Sequence, residues 1–178
     1  ILGIAFFGKS IFDIVSSLKN SYSFEDLLKD INNLNEIVHN HSIIVIKDSF
    51  DKFPNRFLVY EDKRWDCDFF LNYKENPNNE NFIKEHISRE LKIDMDDIEL
   101  TFVAQTIHDK YSETAKENKV YSHKFYKADI KSFPEYMKAD SFECDGRSYH
   151  WRSLAELELD DNVQKNNFDI LNFVKELF

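Results

Sequence analysis

Apolar residues recur at helical spacing after Ser23. Phe24, Leu27, Leu28, Ile31, Leu34 and Val38 form one stripe, and Lys29, Asp30, Asn32, Asn33 and Glu36 take the other side. Ser23-x-x-Asp26 forms a capping box at the front, so the pattern predicts a helix over 24–38. The period then shortens to that of strands. Residues 42–47 (SIIVIK) read as a continuously buried strand, and 56–61 and 65–72 as two more. Asn76-Pro77-Asn78-Asn79 marks a turn, and Ile83, Ile87 and Leu91 predict a helix over 80–92. Strands are expected at about 98–108 and 119–130, parted by a polar loop 109–118. Asp145-Gly146 predicts a hairpin turn between strands 141–144 and 147–152. Ser153-x-x-Glu156 caps a short helical turn, and a last helix from Asp160 or Asp161 buries Val163, Ile170, Leu171, Val174 and Leu177. These elements sum to a mixed sheet with one helix inserted mid-chain and another at the end.

The opening ILGIAFFG is apolar on every side, but eight residues cannot cross a bilayer, which takes about 20. Two readings stand. The segment is the end of a membrane helix with Lys9 and Lys19 on the cytosolic side, or an amphipathic helix that packs on the domain or on a twin. No secretory signal is legible. The chain is therefore divided into an apolar segment 1–22, a connecting helix 23–40 and a globular domain 41–178. Gly3 to Ser10 also fits the phosphate-loop pattern G-x4-G-K-[ST]. Four apolar side chains, two of them Phe, fill the stretch whose backbone would have to approach phosphates, so Lys9 reads as an interfacial charge.

Composition narrows the function classes. With 178 residues, 42% of them hydrophobic, the chain can bury one ordinary core. The 33 acidic residues outnumber the 23 basic ones, and a net charge of -10 argues against long nucleic acid as a partner. A small anion in a local basic pocket remains compatible. The 3 glycines stand at 3, 8 and 146, which excludes a clustered dinucleotide fingerprint. Cys67 and Cys144 lack zinc spacing and read as free thiols of a reducing compartment, with a disulfide as the alternative. His39 and His41 would share one face at the entry to a strand, in a structural role.

The order of elements resembles the Nudix fold, from about residue 40 to 178. Phe57-Leu58-Val59-Tyr60 and Trp65 look like the strands entering the Nudix motif. Arg89-Glu90-Leu91 matches its R-E-U core, and Tyr149 to Leu157 looks like the closing strand and helix start. The fold this implies is α/β (α+β), a Nudix-like mixed sheet flanked by helices, behind a helical lead-in. Departures are equally specific. Anchored on Arg89 in G-x5-E-x7-R-E-U-x-E-E-x-G-U, the motif glycines fall on Glu75 and Asp96 and its first glutamate on Asn81. The paired glutamates fall on Ile93 and Asp94. Nudix hydrolysis uses Mg2+ held by several carboxylates. Glu90 and Asp94, at i and i+4, would bind it weakly unless Glu80 or Glu85 compensated. An Arg89–Glu90 ion pair that holds the turn is the structural alternative.

Degeneracy of this kind, behind a hydrophobic lead-in, resembles the SMODS-associated Nudix domain of bacterial cyclic-oligonucleotide anti-phage signalling (CBASS). The resemblance implies a non-catalytic sensor that binds a cyclic di- or trinucleotide, uses no cofactor, and relays the signal to a membrane effector. It further implies a homo-oligomer and a cytosolic domain of a bacterial inner-membrane protein. Base stacking and phosphate pairing point to Arg64, Trp65, Phe70, Tyr73, Lys74, His123, Tyr126 and Arg152 as ligand residues, with Asp66 or Asp68 reading a base edge. The alternative is a Mg2+-dependent hydrolase of a nucleoside diphosphate derivative, with Glu90, Asp94, Glu85 and Glu80 as metal and base candidates. A protein-interaction domain without a small ligand is the third reading.

Overall fold

Alternation of apolar and polar positions resolves, among the described residues, into seven strands of one sheet. They are β1 (Val38–Val45), β2 (Arg56–Asp62), β3 (Cys67–Lys74), β4 (Ile98–Ser112), β5 (Glu117–Ile130), β6 (Ser141–Cys144) and β7 (Arg147–Ser153). The computed structural model describes residues 23, 25–26, 38–51, 55–112 and 116–178. Two compact units, Ile1–Val38 and His39–Phe178, divide the chain. In the first, Ser23 and Asp26 exchange the bonds of the predicted capping box, with Asp26 N 3.0 Å from Ser23 Oγ and Ser23 N 3.0 Å from Asp26 Oδ2. The lead-in 1–22 and the helix stripe at 24 and 27–37 lie outside the described residues.

The strand order is β4-β5-β1-β3-β2-β7-β6. The β1–β3, β2–β3, β2–β7, β6–β7 and β4–β5 pairs are antiparallel. The β1–β5 pair runs parallel, because His39 stacks on Tyr121 while His41 meets His123, both numbers rising together. The sheet is therefore mixed. Helix α1 (Asn79–Leu91) covers one face, and α2 (Leu154–Leu159), α3 (Asp161–Asn166) and α4 (Phe168–Leu177) cover the other. This double cover explains the unbroken apolar run of β1. Ile44 and Ile46 pack on the α1 side and Ile43 and Val45 on the other. Burying one such side chain contributes about 1.5–3 kcal/mol.

Four boundaries differ from the sequence pattern, each for a local reason. Strand β1 begins at Val38, so the stretch 38–40 belongs to the sheet and not to the end of a helix. Residues 109–112 and 117–118 continue the β4–β5 ladder, through Asp109↔Val120 to Ser112↔Glu117, where a polar loop was expected. Ladder hydrogen bonds need only backbone, and polarity marks exposure more than it marks a loop. Strand β3 starts at Cys67, because Asp62 Oδ1 accepts from Arg64 N at 3.0 Å and holds residues 63–66 in a turn. The last helix is two helices, broken at buried Asn167 (φ -133°, ψ 12°), with Asp160 capping the first. Ser153 and Glu156 form the expected capping box of α2. Among the described residues no helix is long and apolar enough to cross a membrane.

Candidate functional site

The asparagine turn before α1 sets where the helix starts. Asn78 N donates to Asn76 Oδ1, and Asn76 N donates to Asn79 Oδ1. Asn79 Nδ2 then donates to Ser42 Oγ at 2.8 Å and Tyr126 Oη at 3.1 Å, fastening the helix to β1 and β5. Ile83, Ile87 and Leu91 are buried at the expected spacing, and Glu90 is buried beside them. A carboxylate there must be paired or hydrogen-bonded. Glu90 Oε2 accepts from Tyr73 Oη at 3.2 Å and from Arg147 Nη1 at 3.2 Å. The Arg147 guanidinium lies over the Tyr60 ring, 5.1 Å from its centroid. Burial, then the nearby Glu90 charge, pushes the Tyr149 hydroxyl up to about 12 and the Tyr73 hydroxyl upward as well. Both phenols therefore stay protonated at neutral pH.

Arg89 does not pair with Glu90. Its Nη2 donates to His86 Nδ1 at 2.7 Å, while His86 Nδ1 is 3.4 Å from Glu90 Oε1. Arginine has only donors, so the shorter contact makes Nδ1 an acceptor and puts the imidazole proton on Nε2. The cation that neutralises Glu90 comes from β7, not from its own helix.

Glu90 and Asp94 also fail to share a helical face. The helix stops at Leu91 because Lys92 turns left-handed (φ 50°, ψ 41°), and Ser88 Oγ donates to Ile93 O at 2.7 Å. Asp94 is exposed beyond that break and accepts from Asp96 N at 3.0 Å, capping a 3-10 turn over Met95–Asp97. Ile93 is buried in the core. Glu80 and Glu85 are exposed, and Glu85 accepts from Asn81 Nδ2 at 2.6 Å. Among the described residues no group of three or more His, Cys, Asp or Glu could hold a metal ion. A magnesium cage needs several converging oxygens. Glu90 has one oxygen committed to Tyr73 and Arg147, and among the described residues it belongs to no cluster of carboxylates, so these residues do not fit Mg2+.

The eight ligand candidates are dispersed. Phe70 packs on Phe57 in the core beneath α2–α4. Tyr73 and Tyr126 are buried on the α1 side and already bonded to Glu90 and Asn79. His123 alternates with Tyr126 along β5 and so points to the opposite face of the sheet. Arg152 Nε bonds Asp68 Oδ2 at 3.3 Å, and His150 Nδ1 is 3.0 Å from Asp68 Oδ1, which removes Asp68 as a free base reader. Lys74 is exposed. Arg64 and Trp65 lie exposed on the β2–β3 turn, Arg64 held by Asp62, and Asp66 Oδ2 accepts from Asn162 there.

An open depression of about 270 Å³ forms where β2 ends beside the β6–β7 hairpin. Tyr60, Asp62, Arg64, Gly146, Arg147 and Ser148 line it, with Glu61 and Lys63. Asp145 and Gly146 both have positive φ, 50° and 76°, as the tight turn demands. That turn carries Arg147 back over Tyr60. Tyr60 and Arg147 were absent from the sequence candidates. Their one signal, the Asp145-Gly146 turn, becomes informative only once β7 is known to pair with β2.

No family model and no curated protein matches the sequence. Solved structures do. The E. coli dihydroneopterin triphosphate pyrophosphohydrolase is 13% identical with a TM-score of 0.54, covering 77% of this chain and 95% of that one. The C. elegans Ap4A hydrolase is 10% identical at TM-score 0.48, covering 78% and 94%. A NUDIX-family hydrolase from Clostridium perfringens is 14% identical at TM-score 0.44, covering 75% and 93%. At such identity the likeness shows the fold alone, a Nudix fold.

Proposed function

We propose that this Nudix-fold domain is a non-catalytic sensor that binds a cyclic di- or trinucleotide. In this reading the chain before His39 relays the signal to a membrane effector in anti-phage defence, and the domain itself is cytosolic. The observation that carries the non-catalytic part is the pairing of Glu90 with Arg147 and Tyr73. The acid that a hydrolase would turn toward metal or water is here the internal counter-ion of an arginine. Ile93 at a ligand position removes a second donor.

The depression supplies what nucleotide recognition asks for. Tyr60 with the Arg147 guanidinium stacked on it forms one wall, and Arg64, exposed though held by Asp62, offers a guanidinium group for phosphate oxygens. Trp65, 49% exposed on the same turn, is placed to report occupancy by fluorescence, while Trp151 is buried. The ring-shaped messenger and the membrane relay rest on the resemblance to SMODS-associated domains.

The test is calorimetric titration of a panel of cyclic di- and trinucleotides, with Trp fluorescence followed in parallel. Binding without turnover, weakened about tenfold or more by Arg64→Glu, is expected. Release of phosphate or nucleoside monophosphate with Mg2+, lost in Glu90→Gln, would establish the hydrolase reading instead. Absence of binding by any member of the panel would leave a protein-interaction domain.

A further inference from the structure

Four of the 6 histidines gather around Tyr121 on one face of the sheet. His39 and His41 come from β1, His108 from β4 and His123 from β5. The ring centroids of His108 and His123 are 5.1 Å apart, and those of His41 and His123 6.4 Å. Tyr121 stacks on His39 at 5.2 Å and on His108 at 6.1 Å. Phe173 of α4 lies 6.0 Å from His108, which places the cluster on the α2–α4 side. The start of β1 hangs on this cluster. The β1–β3 ladder begins at His41↔Lys74, and before it only Glu75 N reaches back, to Asn40 O at 3.1 Å. At His39 the neighbouring strand among the described residues is therefore β5 alone.

The surroundings suit neutral rings. His39 Nε2 and His108 Nδ1 are buried and have no hydrogen-bond partner among the described residues. Protonation makes both nitrogens of an imidazole donors, so each of these two rings would then bury an N–H without an acceptor. Two lysines add to the cost of charge. Lys74 lies opposite His41 on β3, and Lys119 stands two residues before Tyr121 on the same face of β5. Glu75 favours a charge on His41, but Lys124 Nζ already holds it at 2.8 Å. Asp169 and Glu176 stand one turn before and after Phe173 on α4. One proton is accommodated beside these acids. A second sets like charges one ring separation apart, with little water to screen them.

We propose that His39, His41, His108 and His123 form a proton-operated latch that holds the first residues of β1 against β5 when neutral and releases them when charged. The open segment takes up protons at the ordinary histidine value of about 6.5, whereas the closed cluster resists them. Opening therefore grows as the pH falls below about 6.5. Release stays local, because the β2–β7 ladder carries none of the four rings. The latch sits where the polypeptide enters the sheet, so acidity sets how firmly that entry is held. It needs no nucleotide, and stands or falls apart from the sensor reading.

Amide hydrogen exchange of the full chain, at about pH 7.5 and 5.5 and corrected for the intrinsic rate at each pH, tests this. Protection at residues 39–41 and 121–123 is expected to fall about tenfold or more at the lower pH, as one group displaced by one pKa unit would produce. Protection across β2 and β7 is expected to hold. His39→Phe with His108→Phe keeps a ring against Tyr121 but cannot take a proton, and should remove most of the pH response. His39→Gln with His108→Gln serves if the first pair does not fold. Equal corrected protection at both pH values in the wild type overturns the proposal. So does a response that persists undiminished in the double variant, or a loss of protection that β2 and β7 share in full.

Discussion

Arg147 Nη1 lies 3.2 Å from Glu90 Oε2, joining the last hairpin to a helix 57 residues earlier in the chain. The pair is asymmetric. The Glu90 side chain is 12% exposed and that of Arg147 is 48%. Removing the arginine therefore strands a carboxylate among Ile87, Leu91 and Tyr73, whereas removing the acid leaves a cation that water can reach. Arg147→Met should destabilise the domain by about 1–2 kcal/mol, less than a fully buried pair would lose because about half of the Arg147 side chain is exposed. Glu90→Gln in that background should recover part of the loss. Urea unfolding of the two single variants and the double variant measures the coupling, and additive effects would show that the pair is not an energetic unit.

Asp48 is fully buried and accepts from Arg56 N at 3.1 Å and Arg56 Nε at 2.8 Å, while Arg56 Nη1 reaches Asp140 at 2.6 Å. Asp48→Ala leaves a backbone donor without its partner at the start of β2. A loss of about 2–3 kcal/mol is expected. Asp140→Ala, at an exposed carboxylate, should cost under about 1 kcal/mol. Equal losses at the two sites, read from chemical denaturation, would contradict this ranking.

His41 has its imidazole held below the ordinary 6.5, by burial first, then by His39 and Lys74, with Glu75 opposing. His123 faces it from β5. The folded protein thus prefers neutral His41. Its contribution is complete above about pH 6.5 and is lost as pH falls toward the depressed folded value, because the unfolded chain takes up the proton first. The midpoint of urea unfolding should fall as the pH drops below about 6.5. His41→Gln should flatten that part of the curve. An unchanged slope in the variant would assign the pH dependence to other groups.

Cys67 and Cys144 are free and buried. Burial, then the surrounding aspartates, pushes the Cys67 thiol up to about 12. Thiolate is the reactive form. Neither cysteine should react with iodoacetamide at pH 8 in the folded protein, and both should react in urea. Rapid labelling of Cys67 in native protein, read by mass spectrometry, would show that β3 opens readily.

Much of the site was legible only as a list of residue types. Arg89-Glu90-Leu91 marked the helix correctly, and the departures at Asn81 and Ile93 pointed to a weak metal site. The partner of Glu90 was not legible. Local spacing favoured Arg89, yet Arg89 turns outward to His86 and leaves Glu90 to a residue brought by strand pairing. The proposed ligand set failed to converge for a similar reason. Alternation places His123 and Tyr126 on opposite faces, and Phe70 belongs to the core.

The sequence by itself determined the elements, because helix stripes, caps and the Asp145-Gly146 turn act within a few residues of chain. It also marked the apolar core of β1 and α1, because apolar side chains are driven out of water, although buried Asp48 and Glu90 carried no such mark. Only the tertiary structure decided which strand lies beside which, and with that every long-range pairing. Placing β7 against β2 made Arg147 the counter-ion of Glu90 and formed the depression beside Tyr60. The bulge at Val103 decided which residues of β4 share a face. Such pairings depend on the register of segments far apart in sequence, and a one-residue change of register sends the same side chains to the opposite face.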